Sequence, residues 1–260
     1  MPSPETPCAA LDERIHCFAH RGDEWQAAAH PLHQDKPAKA GVGMGITFAR
    51  ELLTHLPDDG GSIGLIPCAF GGSELERWEE GPKGDLFDEC VRRVKAALSQ
   101  ETTCKLGGIL WHQGESDASV SAAATYTHRL PAALDALRSA VGGGPDLPLV
   151  VGELLYAIDQ TNSDYAASAD VNAAIVSMRQ TLGKCGCASA SGLGHNGDRL
   201  HFDSQAQVDL GRRYASEMIE LMVGPASGAE APVAQPPFSF PSKEESAGTQ
   251  CKATIIAVQD

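Results

Sequence analysis

Short apolar segments alternate with amphipathic ones along most of the chain. Apolar residues recur at helical spacing in five stretches, which predicts helices over about 44–55, 86–98, 122–141, 165–182 and 205–222. Pro131 should kink or interrupt the third of these helices. Four further segments have the length and composition of strands: Arg14–Ala19, Ser62–Pro67, Leu106–Trp111 and Leu147–Leu154. Apolar strands alternating with amphipathic helices predict a parallel sheet that is covered by helices on both faces.

The pattern divides the chain into four parts. We expect residues 1–13 to form a poorly ordered lead-in and 14–223 to form one domain. Residues 224–250 are rich in Pro, Ala, Gly, Ser and Glu, which is typical of a linker without a core of its own. The last part, 251–260, contains the β-branched run Ala253–Val258, which predicts one more strand. A length of 260 residues with 42% hydrophobic content suits a single domain with a sizeable core.

Charge and cysteine content narrow the class of protein. Twenty basic and 34 acidic residues give a net charge of −14, which argues against nucleic acid or an anionic membrane as a partner. The N-terminal residues have neither the basic start nor the apolar centre of a signal peptide, so a cytoplasmic location is the default expectation. The eight cysteines lack the Cys-x-x-Cys spacing of zinc sites. We therefore predict reduced thiols, no metal and no cofactor.

Asp198 and His201 are the first candidates for chemistry. They follow a turn-rich stretch and precede the last helix of the domain. A carboxylate beside an imidazole holds the ring in one tautomer and frees its Nε2 to act as a general base. Because Asp-x-x-His is common by chance, a surface Asp that caps a turn beside a half-buried His is the favoured interpretation of the pair alone.

Two further stretches change that assessment. Pro67-Cys-Ala-Phe-Gly-Gly72 and Trp111-His-Gln-Gly-Glu-Ser-Asp117, followed by Asp198-x-x-His201, resemble the sialate O-acetylesterase-type carbohydrate esterases of the SGNH hydrolase superfamily. The resemblance extends from about residue 14 to 223. It implies a three-layer α/β/α sandwich with a central parallel sheet, the flavodoxin-like SGNH hydrolase fold.

The same resemblance implies a function and roles for individual residues. The function is removal of O-acetyl groups from sugars through a serine-type acyl-enzyme, on a small-molecule or polysaccharide acetyl ester. His201 would be the base and Asp198 its orienting carboxylate. Gly71 and Gln113 would be the oxyanion donors, and Glu115 would support the site.

One expected part of the site is absent from the sequence. The family carries its nucleophile in a Gly-Gln-Ser-Asn-Met motif, and no Gly-Gln-Ser occurs in the 260 residues. Ser73 and Ser116 lie near the motifs, but we expect both to brace their loops. Three interpretations remain open: an esterase that is weak or inactive, a non-catalytic carbohydrate-binding protein, or a gene model that starts too late.

The missing motif also bears on the sheet. In that family the strand carrying the serine lies between the strands that correspond to Ser62–Pro67 and Leu106–Trp111. Without it, two inner strands would leave backbone groups unpaired, at a cost of about 1–3 kcal/mol each. We predict that Ala253–Val258 fills this slot as a parallel strand, so that the chain resembles a circular permutant. The alternative is an unstructured tail or the start of another domain.

Overall fold

The computed structural model describes residues 12–56, 61–223 and 251–259. The predicted linker over 224–250 lies outside these ranges, as does most of the predicted lead-in over 1–13. No helix in the described part of the chain is long and apolar enough to cross a membrane.

Seven strands form a single sheet in the order β2-β1-β3-β7-β4-β5-β6. The edge strand β2 pairs with β1 antiparallel, and every other neighbouring pair is parallel. The strands are β1 (Ile15–Phe18), β2 (Trp25–Ala27), β3 (Ser62–Pro67), β4 (Leu106–His112), β5 (Leu149–Gly152), β6 (Cys185–Ala188) and β7 (Cys251–Gln259).

The strand β7 comes last in the chain and lies at the centre of the sheet. It is parallel to β3, with Ser62 opposite Cys251, and parallel to β4, with His112 opposite Gln259. This is the slot that the sequence analysis assigned to Ala253–Val258. The ladder therefore continues from β3 to β4 without a gap.

Within the described ranges, five α-helices cover the two faces of the sheet. They are α1 (Gly45–Leu53), α2 (Asp85–Gln100), α3 (Val120–Ala140), α4 (Ser168–Thr181) and α5 (Ser204–Val223). Buried side chains of α2, α3 and α4 form one core cluster, and those of α1 and α5 form a second. In β4, Ile109 and Trp111 belong to the first cluster and Leu110 belongs to the second. This alternation shows a sheet buried on both sides, so the predicted three-layer α/β/α class is confirmed.

The structure departs from the sequence-based elements at three points. The helix α3 runs through Pro131 without interruption. The short strands β2 and β6 were not predicted. Cys185-Gly-Cys-Ala188 has no β-branched residue, and α5 packs close to its glycine, since a Cβ at Gly186 would lie 2.8 Å from Glu217 Oε2.

The cysteines of this sheet are packing residues. All six cysteines whose side chains are described are free thiols. Burial raises the pKa of Cys185 and of Cys187 to about 12, so both remain protonated.

A buried arginine fixes the ends of two strands near the site. Arg93, on α2, is 1% exposed and donates to the carbonyl oxygens of Pro67 at 3.1 Å and Phe18 at 2.8 Å. It also forms an ion pair with Asp23 at 3.1 Å. Because these carbonyls terminate β3 and β1, Arg93 holds the carboxyl ends of the two strands in register beside the loops that follow them.

Candidate active site

Asp198 and His201 are in direct contact in the loop before α5. His201 Nδ1 lies 2.6 Å from Asp198 Oδ2, and Asp198 Oδ1 accepts the backbone N–H groups of Leu200 and His201, both at 2.9 Å. Burial alone would raise the pKa of Asp198, but the hydrogen bonds from His201 and Leu200 outweigh it and lower the pKa to about 2. An ionised carboxylate only accepts hydrogen bonds, so Nδ1 carries the proton and Nε2 is left as a base.

The turn that carries this pair is shaped by local backbone contacts. His195 Nδ1 accepts the N–H groups of Gly197 at 3.1 Å and Arg199 at 3.2 Å. Arg199 has a φ of 59°, in the left-handed region that non-glycine residues seldom adopt. Its side chain donates to the carbonyl of Ala157 at 3.0 Å. These contacts turn the chain sharply enough for Asp198 to face the imidazole three residues later.

His201 lines an open cavity of about 760 Å³ at the carboxyl end of the sheet. One wall is the segment 31–43, which we call the cover loop. The remaining lining residues are Gly71, Gly72, Glu74, Glu115, Ser116, Ser119, Asp164, Tyr165, Leu200, His201 and Gln207. The structure thus brings Gly71, Glu115 and His201 around one cavity, with Asp198 behind the imidazole.

Gly71 follows β3, and both of its backbone polar groups are engaged by the cover loop. Its N–H donates to Asp35 Oδ2 at 2.9 Å. Its carbonyl oxygen accepts a hydrogen bond from Lys36 Nζ. The amide that the family resemblance assigns to the oxyanion is therefore bound to a carboxylate oxygen in this structure.

Gln113 has a different arrangement from Gly71. It is buried and does not belong to the residues lining the cavity. Its Nε2 donates to the carbonyl of Ser73 at 2.9 Å and to Asp117 Oδ2 at 2.7 Å, and its Oε1 lies 3.1 Å from the hydroxyl of Tyr126. Both amide hydrogens serve the protein itself, so Gln113 would have to release one of them before it could donate to an oxyanion.

Asp117 connects the segments that follow β3 and β4. Besides Gln113, its Oδ2 accepts the N–H of Leu75 at 2.8 Å, and burial raises its pKa. Ser73, which we expected to brace its loop, accepts the indole N–H of Trp78 at its Oγ, at 2.9 Å. The cap of α3 is Ser119, which accepts the N–H of Ala122 at 3.3 Å.

Glu115 is a cavity-lining acid with unusual surroundings. Its Oε2 is shielded from solvent and has no hydrogen-bond partner among the described residues. Burial is the main cause that raises the pKa of Glu115 to about 7. The carboxyl group therefore exchanges its proton near neutral pH, in the same cavity as the imidazole of His201.

His112 was not singled out from the sequence, although it lies inside a motif. Tyr214 donates its hydroxyl proton to the carbonyl of Trp111 at 2.6 Å, so His112 Nδ1 donates to the Tyr214 oxygen at 3.0 Å. Burial lowers the pKa of His112 to about 4 and keeps the ring neutral. The ring also packs edge-on against Phe202, next to His201, which holds the loop that carries His201 against β4.

Two tryptophans near the site are packing residues, and two residues of the cover loop were not predicted from the sequence. Trp78 and Trp111 are both buried and pack edge to face at 5.6 Å, as expected of packing residues. Asp35 and Lys36 carried no recognisable sequence signal, because their partner Gly71 is distant in the chain. Nowhere in the described ranges do three or more His, Cys, Asp or Glu side chains form a group able to hold a metal ion.

Comparison with known proteins gives the family of the chain. A family model described as carbohydrate esterase, sialic acid-specific acetylesterase matches residues 5–220. A probable carbohydrate esterase of Arabidopsis thaliana is 31% identical over 190 residues, which are 72% of this chain and 68% of that protein. A probable 9-O-acetyl-N-acetylneuraminic acid deacetylase of Escherichia coli K12 is 29% identical over 140 residues, 47% of this chain and 42% of that protein.

Solved structures support the same assignment. The X-ray structure of the Arabidopsis protein superposes with a TM-score of 0.69 at 29% identity, covering 80% of this chain and 82% of that one. A carbohydrate acetylesterase from Xanthomonas citri has a TM-score of 0.58 at 23% identity, covering 82% and 50%, and this likeness concerns the fold alone. The chain belongs to the sialic acid-specific acetylesterase family of carbohydrate esterases.

Proposed function

We propose that the cavity beside His201 hydrolyses O-acetyl esters of carbohydrates, with His201 as the general base and Asp198 as its orienting carboxylate. The observation that carries this proposal is the 2.6 Å Asp198–His201 contact beside an open cavity. In the carbohydrate esterase family such a pair activates a hydroxyl nucleophile. Acetate and the free sugar hydroxyl are the products.

The chemistry divides among three groups. His201 Nε2 takes the proton of the attacking hydroxyl and later returns it to the leaving sugar oxygen. Asp198, fully ionised at neutral pH, stabilises the imidazolium that forms in between. The backbone N–H of Gly71, once Asp35 has left it, donates to the acyl oxygen and stabilises the negative charge that develops there.

The proposed substrate class is supported by the relatives and by the size of the cavity. The Escherichia coli relative is named for an acetylated sialic acid and the Xanthomonas protein for acetylated carbohydrate. A cavity of about 760 Å³ admits a sugar ring with its acetyl group. We therefore propose an acetylated small-molecule sugar or polysaccharide as the substrate, with no requirement for a cofactor.

The sequence lacks the nucleophile that the proposed reaction requires. Gly-Gln-Ser does not occur in the chain, so the acyl-enzyme route has its base and its orienting acid without the serine of the family motif. We propose that turnover by residues 1–260 is therefore weak or nil. The same observation favours a second function, binding of acetylated carbohydrate without hydrolysis.

The first experiment compares release of 4-nitrophenol from its acetate by the chain, by His201→Ala and by Asp198→Asn. We expect all three to remain far below an ordinary turnover of about 1–1000 per second. Fast hydrolysis that His201→Ala abolishes would show that Ser116 or another hydroxyl already acts as the nucleophile. Calorimetric titration with an O-acetylated sugar and its deacetylated form separates retained binding from a collapsed site.

A second experiment tries to restore the missing group. Gln259 pairs with His112 at the end of β7. The double change Val258→Gly with Asp260→Ser, with Asn and Met added after residue 260, creates the family motif Gly-Gln-Ser-Asn-Met at the end of this strand. We expect ester hydrolysis that His201→Ala removes. The matched control carries Val258→Gly with Asp260→Ala and the same extension. Equal rates for the two chains would contradict the proposal that only the nucleophile is lacking.

A further inference from the structure

Two residues of the cover loop bind Gly71, whose backbone N–H is the proposed donor to the oxyanion. Asp35 Oδ2 accepts the Gly71 N–H at 2.9 Å in a partly buried contact, and Lys36 Nζ donates to the Gly71 carbonyl. A Cβ placed on Gly71 would lie 3.1 Å from Lys36 Nζ and 3.5 Å from Asp35 Oδ2. The two side chains thus bind both polar atoms of the Gly71 peptide and lie close to its Cα.

The loop is anchored at its base and exposed at its tip. Leu32 is buried in the core cluster of α1 and α5, and the Gly43 N–H donates to His30 Nδ1 at 3.4 Å. Residues 36–39, by contrast, are exposed. The Asp35 and Lys36 contacts therefore join a loop with an exposed tip to the rigid end of β3, and releasing them leaves the base of the loop in place.

The chemistry of Asp35 matches that of the ligand expected at Gly71. A carboxylate oxygen carries negative charge in the plane of an sp² carbon, as acetate does, and hydrogen bonds to a charged acceptor are stronger than neutral ones. The Gly71 amide is thus already shown to bind a carboxylate, supplied by the chain itself. Lys36 places a positive charge beside the same peptide.

We propose that the Gly71 amide is a binding site for small carboxylates such as acetate, and that Asp35 occupies it as an internal competitor that keeps the cover loop closed. This inference rests on the proposed function, since it concerns the regulation of the same cavity. Acetate, the product of deacetylation, displaces Asp35 from Gly71, and the cover loop opens when it does so. The Asp35 carboxylate thereby weakens binding of every oxyanion at this position.

The test measures acetate binding rather than turnover, so that its failure is distinct from the failure of the esterase proposal. Amide resonances of the isotopically labelled chain are followed during titration with sodium acetate, with sodium chloride at equal ionic strength as the reference. The variants are Asp35→Ala and the isosteric Asp35→Asn, which keeps the side-chain volume in case the smaller residue disturbs the loop. Gln34→Ala, the neighbouring change that leaves Asp35 in place, is the matched control.

We expect the dissociation constant for acetate, read at the Gly71 amide, to fall about tenfold in Asp35→Ala and to remain unchanged in Gln34→Ala. Hydrogen exchange of the Gly71 amide should accelerate in both Asp35 variants, because its acceptor is removed or weakened. Equal acetate affinity in the parent chain and both variants would overturn the inference, as would acetate shifts that leave the Gly71 resonance unmoved. These outcomes hold whether or not the chain hydrolyses any ester.

Discussion

Removing β7 should prevent the domain from folding. Six residue pairs join β7 to β3 and six join it to β4, and all six residues of β3 are buried. Deletion of residues 251–260 would leave the facing backbone groups of both inner strands without partners in the interior of the sheet. This perturbation tests the central position of β7 more directly than any point mutation.

The magnitude follows from the pairing. If four of the freed N–H and C=O groups on β3 and β4 remained unsatisfied, their cost at about 1–3 kcal/mol each would be about 4–12 kcal/mol. The net stability of a domain is about 5–15 kcal/mol. Four unsatisfied groups would therefore remove most of the stability, and a larger number would exceed it.

The assay is thermal unfolding followed by far-UV and near-UV circular dichroism. We expect the truncated chain to lack a cooperative transition, and a synthetic peptide of residues 250–260 added in excess to restore one. A graded version uses Ile256→Pro, which removes one ladder N–H and should cost about 3 kcal/mol or more, against Ile256→Val, which retains it. A truncated chain that unfolds at the same temperature as the parent would refute the reasoning.

Three further changes test the surroundings of the site. Arg93→Met should lower the free energy of unfolding by about 3–5 kcal/mol in urea titration, because it leaves buried carbonyl oxygens without a donor. The control Arg92→Met, at the exposed neighbour, should change it by about 1 kcal/mol or less. Tyr126→Phe removes the hydroxyl that contacts Gln113 and should cost about 1–3 kcal/mol in the same titration. The pKa of Glu115 is raised from 4.5 to about 7 on folding, so folding takes up a proton between these values. Stability relative to Glu115→Gln should therefore fall as the pH rises from about 4.5 to about 7, by about 3 kcal/mol, and a pH-independent difference would show that the carboxyl is not buried.

The inner strands and the contact between Asp198 and His201 could be predicted from the sequence for different physical reasons. β3 and β4 are buried on both faces, and this requires uninterrupted apolar runs that are visible in the chain. Asp198 and His201 are three residues apart, so a single turn decides their contact.

The parts that escaped prediction depend on partners distant in the chain. β6 consists of small residues because α5 packs close to it, and nothing within Cys185–Ala188 indicates that helix. The contact of Asp35 with Gly71 and that of Asp117 with Leu75 join separate loops, and each requires the whole sheet to be assembled. Gln113 was assigned to the cavity by its place in a motif, whereas its hydrogen bonds are set by Tyr126 and Asp117.

The position of β7 also has a consequence for synthesis and refolding. Because Cys251–Gln259 follows all other strands in the chain, the ribosome must release residues 12–223 before the middle of the sheet can pair. Until then β3 and β4 present two open edges to the solvent. Pairs as distant as Ser62 and Cys251 give a high contact order, so closure is slow. Two chains that refold side by side at high concentration can each donate this last strand to the other, and slow dilution favours the chain that closes on itself.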